Sequence, residues 1–178
     1  MTDICVEEPS LAYGTSPIEE ERHRIQLIID KTKTPEERNR LGQFPTPFLL
    51  ARQMVAHAVP FLSLDETIRF VEPSVGTGVF LSAIDSNTVL MRRIGSVVGV
   101  EIDPLYARHA QKIWGARGFS IILDDFAKFV MNGERRLMAD FICTNPPYVR
   151  HHHIPGPLKD LMRSEILSGL SLKVSGLA

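Results

Sequence analysis

The sequence has little cysteine, no long apolar run and no leader-like segment at its start. Its two cysteines, Cys5 and Cys143, are too few for a disulfide framework, which favours a reducing cytoplasm. No apolar run approaches the roughly 20 residues that a membrane span needs. The opening residues, MTDICVEEPS, lack the basic and apolar regions of a signal peptide. These absences predict a cytoplasmic protein that has no membrane partner.

An excess of charge of one sign is also lacking. The 178 residues carry 20 basic and 21 acidic side chains, for a net charge of −1, and the 44% hydrophobic content is ordinary for a globular domain. A near-neutral chain binds nucleic acid only through a local patch or through a part of the protein that is not present. The charge therefore neither identifies nor excludes a nucleic-acid partner.

Residues 1–40 predict a loose tail followed by a helical arm. Ser16 and Thr34 each stand directly before a proline and three residues ahead of a glutamate, which is the capping-box pattern of a helix start. The first of these helices is expected to bury an apolar stripe, Ile25, Ile28 and Ile29. A further apolar helical face runs from Phe48 to Val59 and is closed by Pro60.

From Thr67 onward, strand-like and helix-like runs alternate. In order, the runs are TIRFVE, GVFLSAI, SVVGVEI, PLYARHAQKIW, FSIILD, DFAKFVM and ADFICT. Strands that alternate with helices of about ten residues predict a parallel sheet with helices on both faces. In such a sheet ligands lie beyond the carboxyl ends of the strands, near the switch in strand order. Those ends carry EPSVGTG, EIDP, DDF and NPPY.

The first strand end, Glu72 to Gly78, favours a cationic ligand. Gly76 and Gly78 allow a tight turn and let a ligand approach a helix N-terminus with no Cβ in the way. The leading carboxylate is a poor neighbour for a pyrophosphate but suits the sulfonium and amino groups of S-adenosylmethionine. The alternative interpretation is a generic glycine-rich turn.

The second and third strand ends supply carboxylates. Glu101 lies where α/β nucleotide folds place the acid that accepts from ribose hydroxyls, although a solvated acidic loop is the alternative. Asp103, before a proline, is expected to cap the next helix. At the third end Asp125 is preferred as the acceptor from an adenine amino group, with Phe126 against the ring. On sequence alone, Asp124 or Asp125 could equally cap the following helix.

The fourth strand end, NPPY, is the most specific signal. Two consecutive prolines end the strand and force Asn145 into an extended conformation. The side-chain oxygen of Asn145 and the carbonyl of Pro146 could accept both N–H bonds of an exocyclic amine, held at fixed angles by Pro146 and Pro147. Tyr148 offers a flat face for a base taken out of its helix. The alternative is an asparagine-initiated turn.

Five segments in this order, GQFPTP, EPSVGTGVF, VGVEIDP, LDDF and TNPPYV, resemble the S-adenosylmethionine-dependent DNA adenine-N6 methyltransferases of restriction–modification systems. The resemblance covers residues 34 to 178 and is to the subgroup whose cofactor half precedes the target-recognition domain. It implies a Rossmann-like class I methyltransferase fold. The implied cofactor-binding residues are Thr46, Pro47, Glu72, Pro73, Ser74, Gly76, Gly78, Glu101, Ile102, Asp125 and Phe126. The implied catalytic residues are Asn145, Pro146, Pro147 and Tyr148.

The resemblance also implies partners and a domain division. Residues 41–178 would form the methyltransferase domain, and its substrate would be double-stranded DNA with a flipped adenine. Enzymes of this kind continue into further strands and a recognition domain, whereas this chain stops at LSLKVSGLA. We therefore expect a domain that is incomplete on its C-terminal side, with weak or no methylation by the chain alone. A restriction endonuclease or a separate C-terminal recognition part is the expected protein partner.

A metal site is not expected. Three consecutive histidines, His151 to His153, point in different directions along an extended chain, and no carboxylate or cysteine stands at a convincing ligand spacing. In the resembling family a histidine-rich run after NPPY recurs without a metal, so we expect this run to lie by the base pocket or to contact DNA.

Three other functions stay open at this stage. A protein glutamine N-methyltransferase could use the same NPPY, because an amide nitrogen poses the same chemical problem, although the FPTP segment and the EPS start of the glycine loop argue against it. An RNA guanine-amine methyltransferase fits less well. The third is a noncatalytic remnant that binds the cofactor or associates with DNA.

Overall fold

The computed structural model describes residues 15–63, 66–131 and 137–147, together with four single positions between 156 and 164. The first fourteen residues of the predicted tail, Tyr148 and the histidines 151–153 lie outside the described residues. None of the described helices is both long enough and apolar enough to cross a membrane.

The strands form one parallel sheet, as the alternation predicted. They are β1 (Ile68–Glu72), β2 (Ile94–Glu101), β3 (Ser120–Leu123) and β4 (Phe141–Ile142). Their order across the sheet is β3-β2-β1-β4, and every pair is parallel. Chain order therefore reverses beside β1, and the switch point lies between the carboxyl ends of β1 and β4.

Helices surround this sheet. They are α1 (Pro17–Thr32), α2 (Pro35–Leu41), α3 (Phe48–Ala58), α4 (Val79–Asp85), α5 (Thr88–Met91), α6 (Pro104–Trp114) and α7 (Phe126–Met131). The main core joins α3, α4 and α6 to the strands through large side chains such as Phe70, Phe80 and Trp114, each at most 1% exposed. A smaller cluster, Ile25, Ile29 and Tyr106, attaches α1 to α6.

The buried face of α1 differs from the predicted one. Ile25 and Ile29 are buried, but Ile28 is half exposed, and the face is completed by Glu19, Arg22 and Gln26. Ser16 caps the helix by accepting from the Glu19 N–H. The reciprocal half of the predicted capping box is wrong, because both Glu19 carboxylate oxygens accept from Arg22 at 2.6 Å. The second box, at Thr34 and Glu37, is complete.

Gly78, between β1 and α4, needs both its positive φ and its lack of a side chain. Its φ is 91°, and a Cβ built on it would overlap the indole of Trp114, 2.9 Å from Cδ1. The indole is fixed there because its Nε1–H donates to the carbonyl of Thr77 at 2.9 Å. The loop and α6 are therefore in contact at a point where only glycine fits.

We predict that Gly78→Ala lowers the free energy of unfolding more than Gly118→Ala does, by about 1–3 kcal/mol, the usual cost of overpacking. Gly118 is the matched control because its φ is also positive, at 77°, yet a Cβ there meets nothing within 4 Å. Urea denaturation of the two variants measures the difference. Equal destabilisation would mean that backbone strain alone sets the requirement for glycine.

Candidate active site

Backbone and side-chain hydrogen bonds join the carboxyl ends of the four strands into one edge. The loop after β1 is tied to β2, since Val75 N–H donates to the Val100 carbonyl at 2.9 Å. The end of β3 is tied to β2 by the Asp124 N–H, which donates to the Glu101 carbonyl at 3.0 Å. Ser74 joins the same loop to the end of β4 through the Thr144 hydroxyl at 2.9 Å. The structure thus brings the four predicted strand ends together.

Glu72, at the end of β1, is a buried carboxylate that lacks a full set of partners. It is 1% exposed, and its Oε2 has no hydrogen-bond partner among the described residues. Burial, and next the charge of Glu101, raise the pKa of Glu72 well above its ordinary range, while Arg22 opposes the shift. A buried carboxyl oxygen without a partner requires an explanation, and a bound cation would supply one. The residue therefore fits the predicted cationic ligand.

Glu101, at the end of β2, is buried, and both of its carboxylate oxygens accept hydrogen bonds from the backbone. Its Oε2 accepts from the Gly76 N–H at 2.8 Å, and its Oε1 accepts from the Asp103 N–H at 2.9 Å. Burial still raises the pKa of Glu101, although these two backbone bonds oppose it. Because each carboxylate oxygen can accept more than one hydrogen bond, the group keeps capacity for ligand hydroxyls. Next to it Ile102 is 52% exposed.

Asp103 links the start of α6 to Lys33 and Gln43, a contact that the sequence did not predict. Its Oδ1 accepts from the Leu105 N–H at 2.9 Å, which confirms the predicted helix cap. Its Oδ2 pairs with Lys33 and accepts from Gln43 Nε2 at 3.0 Å, while Lys33 also donates to Gln43 Oε1 at 2.9 Å. Burial alone would raise the pKa of Asp103, but the bonds from Lys33 and Gln43 outweigh it and lower the pKa.

Asp125, at the third strand end, serves as a helix cap. Its Oδ1 accepts from the N–H groups of Ala127 at 2.9 Å and Lys128 at 3.3 Å. The capping alternative is thus the one that the structure shows, and the role as adenine acceptor stays a prediction. Phe126 is partly buried, whereas Leu123, which had not been singled out, is 57% exposed at the same edge.

Asn145, at the fourth strand end, is held from two directions. Its Nδ2 donates to the Phe44 carbonyl and to the Thr46 hydroxyl, each at 3.1 Å. Its own carbonyl accepts from the Ser74 hydroxyl at 3.1 Å. Pro146 and Pro147 follow, both exposed, and Tyr148 lies outside the described residues. The FPTP segment, with Pro47 also exposed, therefore contacts the NPPY strand end directly.

The helical arm also contributes to the site. Arg22, 3% exposed, donates to the Thr77 hydroxyl at 2.9 Å, and that hydroxyl donates to Gln26 at 2.7 Å. Thr77 lies between the two glycines of the loop after β1. A sequence signal existed for this contact: Glu19, Arg22 and Gln26 are polar residues that share the face of Ile25 and Ile29 at helical spacing.

Metal-ligating side chains are not clustered in the part of the chain that the structure describes. Within residues 15–63, 66–131 and 137–147, no three histidine, cysteine or carboxylate side chains are grouped so as to hold a metal ion. Cys143, next to the site, is buried, and burial together with the charge of Glu72 raises the pKa of its thiol to about 12. A thiol in that state is not a nucleophile near neutral pH.

Comparison with known proteins supports the fold. No family model matches the chain. A protein of Listeria monocytogenes, described as a class I S-adenosylmethionine-dependent methyltransferase, superposes with a TM-score of 0.52 at 17% identity over 76% of this chain and 42% of its own. A Pyrococcus horikoshii protein described as an RNA methyltransferase gives 0.48 at 20% identity, over 71% and 60%. The chain thus spans less than two thirds of either protein, and it has the Rossmann-like class I methyltransferase fold.

We predict that the free energy of unfolding falls as pH rises above the ordinary carboxyl pKa, and that Glu72→Gln reduces this fall. A raised pKa in the folded protein means that the unfolded chain ionises first, so stability is greatest below that range and is lost as pH approaches the folded pKa. Glutamine cannot ionise and keeps the shape of the side chain. Urea denaturation between pH 5 and pH 8, with the exposed Glu36→Gln as control, measures the slopes. Equal slopes in all three proteins would contradict the prediction.

Proposed function

We propose that this chain is an S-adenosylmethionine-dependent methyltransferase whose substrate is the exocyclic N6 amine of adenine in DNA. The single observation that carries the proposal is the setting of Asn145 at the switch point of a class I methyltransferase fold. Its amide nitrogen is engaged by Phe44 and Thr46, which directs the amide oxygen away from them. A hydrogen-bond acceptor there suits an amine substrate.

The residues present fit the cofactor. The unpartnered carboxyl oxygen of Glu72 matches a cationic methionine end. Gly76, where a Cβ would meet nothing within 4 Å, leaves space in the loop for a ligand, whereas the missing Cβ of Gly78 makes room for Trp114. Glu101 would accept from the ribose hydroxyls, with the Ile102 side chain beside the cofactor, and Asp125 with Phe126 would meet the adenine. We place the methionine end beneath the segment that contains Thr46 and Pro47. When bound, S-adenosylmethionine supplies an electrophilic methyl group.

The chain's own residues would orient the amine. Its lone pair is conjugated into the purine ring and is weakly nucleophilic. Two acceptors at fixed angles, the Asn145 side-chain oxygen and the Pro146 carbonyl, would take both N–H bonds and favour a tetrahedral nitrogen. Pro146 and Pro147 set these positions before the substrate arrives, and Tyr148 would stack on the flipped base. No protein base is needed, because the proton leaves an already positive nitrogen.

Further contacts with DNA are assigned to a partner. A near-neutral chain gives little of the phosphate binding that DNA affinity needs. We propose that a C-terminal recognition part or an associated restriction endonuclease supplies it, with His151 to His153 near the base or the DNA. Slow methyl transfer by the chain alone is the consequence.

We predict stoichiometric binding of S-adenosylmethionine by calorimetric titration and slow transfer of its tritiated methyl group into adenine-containing DNA. Glu101→Ala should weaken cofactor affinity about tenfold or more, since it removes charged hydrogen bonds. Asn145→Ala should leave that affinity nearly unchanged and lower transfer about a hundredfold, the usual cost of losing a group that acts in the transition state. The exposed Glu36→Ala should change neither quantity.

The alternatives are separated by substrate. Transfer into a protein glutamine or into RNA in place of DNA would overturn the proposed substrate. Cofactor binding with no transfer to any of the three would identify a noncatalytic binding protein. A folded chain that does not bind the cofactor would contradict the proposal as a whole.

A further inference from the structure

One segment connects residues beyond the carboxyl ends of two strands, β2 and β4, and passes the end of the strand between them. Gln43 to Pro47, here called the strap, lies between α2 and α3 and has no regular structure. At its start Gln43 donates to Asp103, beyond the end of β2. Further along, Phe44 and Thr46 accept from Asn145, beyond the end of β4. Because β1 lies between β2 and β4, the strap crosses the carboxyl end of β1.

The strap fixes which way the Asn145 amide faces. A carbonyl can only accept hydrogen bonds, so the amide nitrogen, not the oxygen, must face Phe44. The Thr46 hydroxyl takes a second bond from the same nitrogen. Both hydrogens of Nδ2 are then used, and the oxygen faces the other way. Without these partners, the terminal torsion of an asparagine is broad and close to two-fold, so nitrogen and oxygen would exchange places.

The backbone of Asn145 is already restrained by other contacts. Its carbonyl accepts from the Ser74 hydroxyl at 3.1 Å, and Pro146 restricts its backbone to extended conformations. The terminal amide torsion is thus the degree of freedom that the strap controls. An amide turned the wrong way would present N–H donors to an amine that is itself a donor, and a substrate nitrogen could not be held there.

We propose that Thr46 is a positioning residue for Asn145, whose hydroxyl keeps the amide oxygen directed at the substrate amine. The inference rests on the proposed function for what that oxygen does, but not for how it is held. It also separates two roles for Thr46. A cofactor contact would affect affinity for S-adenosylmethionine, whereas a positioning residue affects the Asn145 amide and the transfer rate.

The test uses the full ¹⁵N-labelled chain without cofactor. The Nδ2 signals of Asn145 are identified by their loss in Asn145→Asp, and the exchange of their protons with solvent is measured. Thr46→Val, which has the same shape but cannot accept, should speed this exchange about fivefold or more, the factor that one hydrogen bond of typical strength represents. Thr46→Ser, which keeps the hydroxyl, should restore slow exchange. Thr46→Ala replaces the valine variant if that variant does not fold.

Two companion measurements decide between the roles. Thr46→Val should leave the dissociation constant of S-adenosylmethionine within about twofold of the wild type, a smaller change than the loss of a direct hydrogen bond gives, while it lowers single-turnover transfer into DNA. Unchanged exchange, or a dissociation constant for S-adenosylmethionine that rises well beyond twofold, would overturn the proposal. If the wild type transfers no methyl group while the exchange pattern is as expected, the proposed function fails and the positioning of Asn145 stands.

Discussion

The candidate site is built around the hydrogen bond from the Gly76 N–H, in the loop after β1, to the Glu101 carboxylate at 2.8 Å. It joins the ends of two neighbouring strands at a buried carboxyl group, which lies near a second buried carboxyl group, Glu72. The two backbone bonds to Glu101 lower its pKa less than burial raises it, so burial is the larger effect. At Glu72 one oxygen has no bond of this kind among the described residues. Ionising both carboxyl groups is therefore electrostatically unfavourable, and a cation bound between them would relieve part of that cost.

The helical arm also supports this loop. Arg22 is held by both oxygens of Glu19 and reaches Thr77, while the Trp114 indole holds the carbonyl of the same residue. Removing one partner of a buried ion pair generally costs about 3–5 kcal/mol, because the other charge is left without compensation. The arm therefore does more than precede the domain. It fixes the conformation of the residues that a ligand would meet.

The sequence predicted the parallel sheet and the cap at Asp103 because these depend on local pattern. It predicted the contacts of α1 only in part, since Ile25 and Ile29 are buried but Ile28 is half exposed. The spacing of Ser16 and Glu19 fits a capping box, but Arg22 competes for the same carboxylate and wins, since Arg22 and Glu19 are both buried. Nor could periodicity connect Asn145 to Thr46, which lies 99 residues earlier in the chain. Such pairings depend on how the strand ends meet, and that information is spread over the whole sheet.

The direction of the Asn145 amide bears on the chemistry that the site can serve. An acceptor oxygen at the switch point favours a substrate that donates N–H bonds. It repels the lone pairs of an alkoxide or a phenolate, the nucleophiles of oxygen methylation, which need a base or a cation beside them. The described residues around Asn145 offer the hydroxyls of Ser74, Thr144 and Thr46 and the carbonyl of Phe44, and none of these is such a group. That polarity supports the proposed methylation of nitrogen, and the proposed choice of adenine over another planar amine depends on the surface that receives its ring.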